Sequence, residues 1–134
     1  MGELKYLSPE WAAEVEKRLK EGLSPEKMNN LTSSMNNVYT ACPSGAAEQY
    51  FFVGFEDGAV SRVEVGEGKG PAAEFMIMGD YETFAKISRA ELGAQKALMG
   101  GKLKLRGNMV KALKLASLVD RVNKIIATIP TQFE

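Results

Sequence analysis

Few side chains in this sequence are equipped for chemistry. Histidine is absent from all 134 residues, which removes the commonest general base, proton shuttle and metal ligand together. The single thiol, Cys42, would attack an electrophile only if a base drew off its proton. Beside Pro43 and with no imidazole in the chain, it reads as an ordinary semi-buried thiol. The run Gly66-Glu67-Gly68-Lys69-Gly70 has the glycines and lysine of a phosphate cradle. It joins two strands, however, and no helix N-terminus follows to hold an anion, so it reads as a hairpin loop. Asp80, Glu82 and Glu91 offer a carboxylate acid–base pair, yet each stands where a helix start wants negative charge. Asp120-Arg121 reads as a solvated pair on a polar helix face. The residues assemble no catalytic centre, metal site or cofactor pocket, and the chain is expected not to be an enzyme.

One cluster of like charge remains: Lys102, Lys104, Arg106, Lys111 and Lys114. It reads either as a solvated strand face running into a solvated helix edge or as a contact for anionic headgroups or a CoA-type phosphate. No aromatic residue interleaves with it, which argues against single-stranded nucleic acid, where bases need stacking platforms. Seventeen basic and seventeen acidic residues give a formal net charge of zero. That removes the broad positive field of a nucleic-acid binder.

The elements that must position these groups follow from periodicity and caps. Lys102, Lys104 and Arg106 alternate with Leu103, Leu105 and Gly107, the period of a strand with one wet face. At Gly107-Asn108 the rhythm becomes helical, with Asn108 as N-cap. From there Leu115, Leu118, Val119, Val122, Ile125, Ile126 and Ile129 form one stripe that Pro130 ends. Ser8-Pro9-Glu10 starts an N-terminal helix with a narrow stripe of Trp11, Val15 and Leu19, closed by Gly22. Ser24-Pro25-Glu26 repeats the signal and predicts a short helix to about residue 31. Further strands are expected at residues 35–42, 49–55, 59–65 and 72–78, with Asp57-Gly58 supplying a type I′ hairpin turn. Asp80 caps a helix over 81–87. Ser88-Arg89-Ala90-Glu91 has capping-box spacing for another, which Gly100-Gly101 stops.

Four strands in hairpin order, then helices, then one strand predict an α+β fold: a five-stranded, mainly antiparallel sheet with helices on one face. Residues 1–34 form an N-terminal helical segment packed on a domain of residues 35–134, compact overall. A chain of this length buries roughly two-thirds of its unfolded surface. Its 45% hydrophobic and 25% charged residues are those of an ordinary globular protein. One cysteine and the lack of a signal-peptide or 18-residue apolar run predict a cytoplasmic location.

Apolar mass exceeds what a half-exposed sheet needs. Residues 50–55 and 75–78 are apolar on both strand faces and must be covered on both sides. Met76, Met78, Met99 and Met109 add adaptable side chains, suited to filling a core or to lining a cavity for variable apolar guests.

Residues 101–109, Gly-Lys-Leu-Lys-Leu-Arg-Gly-Asn-Met, followed by Ala112-Leu113-Lys114-Leu115, resemble the signature of the sterol carrier protein type-2 family. The Met76-Ile77-Met78-Gly79-Asp80 strand end and the Asp57-Gly58 hairpin are similar to that family's pattern, and the likeness covers about residues 35–129. The resemblance implies a stand-alone lipid-binding domain whose sheet and helices enclose an apolar tunnel for fatty acid, fatty acyl-CoA, phospholipid or sterol, without chemistry. The end Thr131-Gln132-Phe133-Glu134 is not the peroxisomal address of eukaryotic relatives, and residues 1–30 also look different, which points to a prokaryotic origin.

Strand parity and the inward face of Leu103 and Leu105 give the expected lining: Phe52, Met76, Met78, Phe84, Leu98, Met99, Leu103, Leu105, Met109 and Leu113. Burying about ten methylenes at roughly 0.8 kcal/mol each supports micromolar binding after the cost of association. The expected partner is a small hydrophobic ligand, with transient membrane-surface contact and a monomer or homodimer. The alternative is an interaction module that keeps the fold, fills the tunnel with its own side chains and acts by dimerising or by binding a partner enzyme.

Overall fold

The computed structural model describes residues 2–133. In chain order the elements are β1 (Leu4–Lys5), α1 (Pro9–Gly22), β2 (Ser33–Thr40), β3 (Gln49–Glu56), β4 (Ala59–Glu67), β5 (Phe75–Asp80), α2 (Tyr81–Ser88), α3 (Ala94–Met99), β6 (Lys104–Arg106), α4 (Met109–Ile126) and β7 (Thr131–Gln132). The caps read from sequence are in place. Ser8 accepts from the Trp11 amide at 3.2 Å, Asp80 from Thr83 at 2.8 Å and Asn108 from Lys111 at 3.1 Å.

β2 to β6 form one sheet in the order β4-β3-β2-β5-β6. β3 is antiparallel to β2 and β4, β6 is antiparallel to β5, and β2 and β5 run parallel, so the sheet is mixed. Hairpin order therefore holds for three strands only. β5 does not turn back beside β4: residues 68–74 carry the chain across the sheet to the far side of β2. Asn36 on β2 fastens this strap, its amide donating to the carbonyls of Lys69 at 2.6 Å and Pro71 at 3.1 Å. Residues 72–74, expected as strand, belong to the strap.

Four other expectations are corrected. Residues 25–31 make hydrogen-bonded turns rather than a helix, because Asn29 and Asn30 adopt φ of 52° and 51°. Ser88 closes α2 instead of opening the next helix, and Ala90 is left-handed (φ 59°). α3 begins only at Ala94, whose amide donates to Asp120 on α4 at 3.2 Å. Asp120 and Arg121 are thus not a solvated pair: the first caps α3, and the second donates to the Lys27 carbonyl. The stripe expected to continue to Ile129 leaves the helix after Ile126. β1 and β7, too short to show in the sequence pattern, pair in parallel and tie the two ends of the chain together.

The helices gather on one face of the sheet. Met35, Asn37 and Tyr39 of β2 stand in register with Val53, Phe51 and Gln49 of β3 and with Phe75, Ile77 and Gly79 of β5. The core contains Phe51, Val53, Phe55 and Tyr39, with Met35, Val63, Val65 and Ile77 packed against it. A bulge opposite Gly54-Phe55 shifts the parity of β4, so Val60, Val63 and Val65 all face inward. Trp11, fully buried, meets Tyr6 and Phe51 edge-on at ring distances of 4.8 and 5.0 Å and anchors α1 to the sheet.

Candidate ligand-binding site

α4 packs against α1, α2 and α3 and roofs the inner face of the sheet. Between α4 and the inner face of β2, β5 and β6 lie two abutting pockets. The first is lined by Met35, Asn37, Tyr39, Phe51, Val53, Phe55, Ile77, Phe84, Ile87, Ser88, Ala94, Leu103, Val119, Val122, Asn123 and Ile126. The second is lined by Met35, Phe75, Ile77, Ala94, Gln95, Leu98, Leu103, Leu105, Ala112, Leu115, Ala116 and Val119. Met35, Ile77, Ala94, Leu103 and Val119 belong to both and form the partition.

Each pocket has a cavity volume of only about 50 Å³. That is room for a few waters. The structure thus holds two narrow pockets in place of an open tunnel.

Neither lining contains a charged side chain. The first pocket has most of the polar groups, the Asn37 and Asn123 amides and the hydroxyls of Tyr39 and Ser88, and the second has the Gln95 amide. The two hydroxyls belong to a buried network, in which the Tyr6 hydroxyl bonds Tyr39 at 2.7 Å and Ser88 at 2.6 Å. Burial pushes both phenols well above their usual range, so they stay neutral. Cys42 is also buried; desolvation pushes its thiol up, and its Sγ donates to the Tyr39 carbonyl at 3.4 Å. Such a thiol is a poor nucleophile.

Of the residues expected to line the cavity, the fold brings four together: Phe84 in the first pocket, Leu98 and Leu105 in the second, and Leu103 in both. Phe52, Met76 and Met78 lie on the opposite sheet face. Met76 and Met78 pair in register with Arg106 and Lys104, and Phe52 lies under the Arg62 guanidinium at 5.1 Å. The face follows from register: Ile77 stands opposite Leu105, so the methionines beside it share the face of the cations. Met99 and Met109 are exposed, at 71% and 46%, and half-buried Leu113 lines neither pocket. Sequence reasoning missed Met35, Phe75, Ile77 and Ala94 as lining. Val119 and Val122 were visible as part of the last helix's stripe, which marks a buried face but not a cavity.

A mixed sheet roofed by helices, with uncharged apolar pockets between the layers, defines an α+β domain built around an oily interior cleft. The chain belongs to the SCP-2 sterol transfer family, a family of lipid-binding domains whose model matches residues 16–120. The oleate-induced peroxisomal protein POX18 of Candida maltosa is 28% identical over 116 residues, 84% of this chain and 89% of that protein. The fold is similar to the crystal structure of sterol carrier protein 2, with a TM-score of 0.81, 20% identity and coverage of 93% of this chain and 99% of that one. It is also similar to palmitated SCP2L2 from Aedes aegypti, with a TM-score of 0.59, 20% identity and coverage of 84% and 94%. Among the described residues no helix is long and apolar enough to cross a membrane.

Proposed function

We propose that this protein binds and carries an amphipathic lipid with a flexible alkyl chain, such as a fatty acid or fatty acyl ester, and leaves it chemically unchanged. The observation that carries this reading is the shared partition: two uncharged pockets that have Met35, Ile77, Ala94, Leu103 and Val119 in common. If those side chains part, the pockets become one channel between α4 and the sheet. The methionine, leucine, isoleucine and valine side chains of this partition part by rotamer changes. A flexible chain can thread such a channel more readily than a rigid sterol. Gain scales with the methylenes buried, roughly 0.8 kcal/mol each, so selectivity among chain lengths is weak. The second pocket, with Gln95 as its one polar lining residue, takes the tail, and the Asn37 and Asn123 amides of the first offer hydrogen bonds to the head. The palmitated relative supports an acyl ligand, and the buried thiol suits a reducing cytoplasm.

The small resting volume favours one rival, an interaction module whose cleft is filled by its own side chains. Native mass spectrometry of freshly purified protein and titration with a fluorescent fatty acid separate the two. Carriage predicts co-purifying lipid and saturable uptake, abolished by Val119→Trp, which plugs the partition. Met78→Ala, on the opposite sheet face, leaves uptake intact. A lipid-free protein with no uptake overturns carriage and leaves the interaction module.

A further inference from the structure

Charge is strongly segregated although it sums to zero. Residues 92–119 hold six of the seventeen basic side chains, Lys96, Lys102, Lys104, Arg106, Lys111 and Lys114, and none of the seventeen acidic ones. This stretch runs from α3 through β6 into α4, and β6 is the edge strand of the sheet. Its side chains divide cleanly: Leu105 faces the second pocket, while Lys104 and Arg106 are exposed on the other side. Lys111 is paired with Glu74 at 2.5 Å. Lys96, Lys104, Arg106 and Lys114 have no carboxylate within ion-pair distance among the described residues.

The same stretch holds the large apolar side chains that stand most exposed, Met99 at 71%, Val110 at 64% and Met109 at 46%. Met99 follows Leu98 at the end of α3, and Met109 and Val110 open α4 just before Ala112; Leu98 and Ala112 both line the second pocket. Exposed apolar side chains, cations and lining residues of an apolar pocket are therefore carried by the consecutive elements α3, β6 and α4 at the β6 edge of the fold, where Asp120 is the carboxylate beside Lys96 and Met99. Edge-strand lysines alone would be explained as protection against strand pairing. Bare methionine and valine among them work against that purpose, since they make the edge stickier.

We propose that this edge docks on an anionic lipid bilayer, with the cations against headgroups and Met99, Met109 and Val110 dipping below them, so that the second pocket opens toward the membrane. The inference rests on the lipid-carriage reading for its purpose, but the docking is separately observable. A second copy of the chain is the wrong occupant, because the face would meet its own charge.

The test is co-sedimentation of the intact protein with phosphatidylcholine vesicles, with and without phosphatidylglycerol. Binding is expected only to the anionic vesicles and is lost at high salt. Lys104→Glu combined with Arg106→Glu should weaken it by roughly tenfold or more. Val110→Ser, which leaves the charge untouched, should weaken it while retaining the salt dependence. Equal binding to both vesicle types, no binding to either, or charge-reversed protein that sediments like the parent would overturn the proposal. Uptake of a fluorescent fatty acid from vesicle-free solution is measured in parallel. Variants that keep uptake but lose vesicles support docking, whereas a parent protein that binds vesicles without taking up fatty acid sinks the carriage reading and leaves the docking face standing.

Discussion

A methyl group of Leu103 occupies the place where a side chain on Gly79 would begin: a Cβ built on Gly79 falls 2.6 Å from Leu103 Cδ2 and 3.2 Å from Phe84 Cε2. Leu103 lines both pockets and Phe84 the first. Gly79→Ala therefore pushes the free end of Leu103 toward the partition. Since that end is flexible, the protein should fold with a loss of about 1–3 kcal/mol. Fatty-acid affinity should fall more than this stability loss explains, read by titration well below the melting temperature. Undiminished affinity would show that the ligand does not pass Leu103.

The opposite sheet face gives the matching control. Asn36 is fully buried there and holds the 68–74 strap through its two amide hydrogen bonds. Gly70 of the strap lies so close to the Tyr50 ring that a Cβ would come within 2.5 Å of it. Asn36→Ala should cost about 1–3 kcal/mol in urea denaturation and leave fatty-acid uptake unchanged. Impaired uptake at full folding would mean that the strap face contributes to binding.

Local signals were legible and long-range ones were not. Ser8, Asp80 and Asn108 cap their helices as their side chains dictate, and the Lys104–Arg106 alternation names its own wet face. The place of β5 beside β2 depends on a strap crossing the sheet, which no local propensity encodes. The face of Met76 and Met78 was equally hidden, because a strand apolar on both sides carries no alternation to read. It becomes visible only once Ile77 is paired with Leu105. The missed helix at residues 25–31 has a similar cause. Ser24 does cap a first turn, accepting from Lys27 at 3.2 Å, but Asn29 and Asn30 then bend the chain around the β3–β4 hairpin.

That hairpin makes its own prediction. Asp57 and Gly58 have φ of 51° and 83°, as a type I′ turn requires, and the Gly58 amide donates to the Leu31 carbonyl at 2.8 Å. A Cβ on Gly58 would lie 2.6 Å from Pro25 Cα and 2.7 Å from its carbonyl oxygen. Backbone cannot step aside as a side-chain end can. Gly58→Ala should cost more than about 1 kcal/mol and exceed Gly79→Ala in calorimetry. A smaller loss would mean that residues 25–30 move freely off the turn.

The Tyr6–Tyr39 pair sets the alkaline limit of stability. Desolvation, the largest cause, holds both phenols above their ordinary value of about 10 in the folded chain; Tyr6 raises Tyr39 further, while the hydrogen bonds from Ser88 and Tyr39 only partly offset the effect at Tyr6. Below that value folded and unfolded chains are both protonated, and the pair's contribution is constant. Above it the unfolded chain releases protons that the folded chain keeps, so stability falls as pH rises, by about 1.4 kcal/mol per pH unit for each retained proton. Tyr6→Phe removes one of these protons, and its urea midpoint should decline less steeply than the parent's between about pH 10 and 11.5. At neutral pH the same variant should be less stable by about 1–3 kcal/mol, because the hydroxyls of Tyr39 and Ser88 lose their shared partner. An unchanged alkaline slope would mean that Tyr6 ionises as freely in the folded protein as in the unfolded chain, so that the aromatic cluster beside the first pocket is wet rather than sealed.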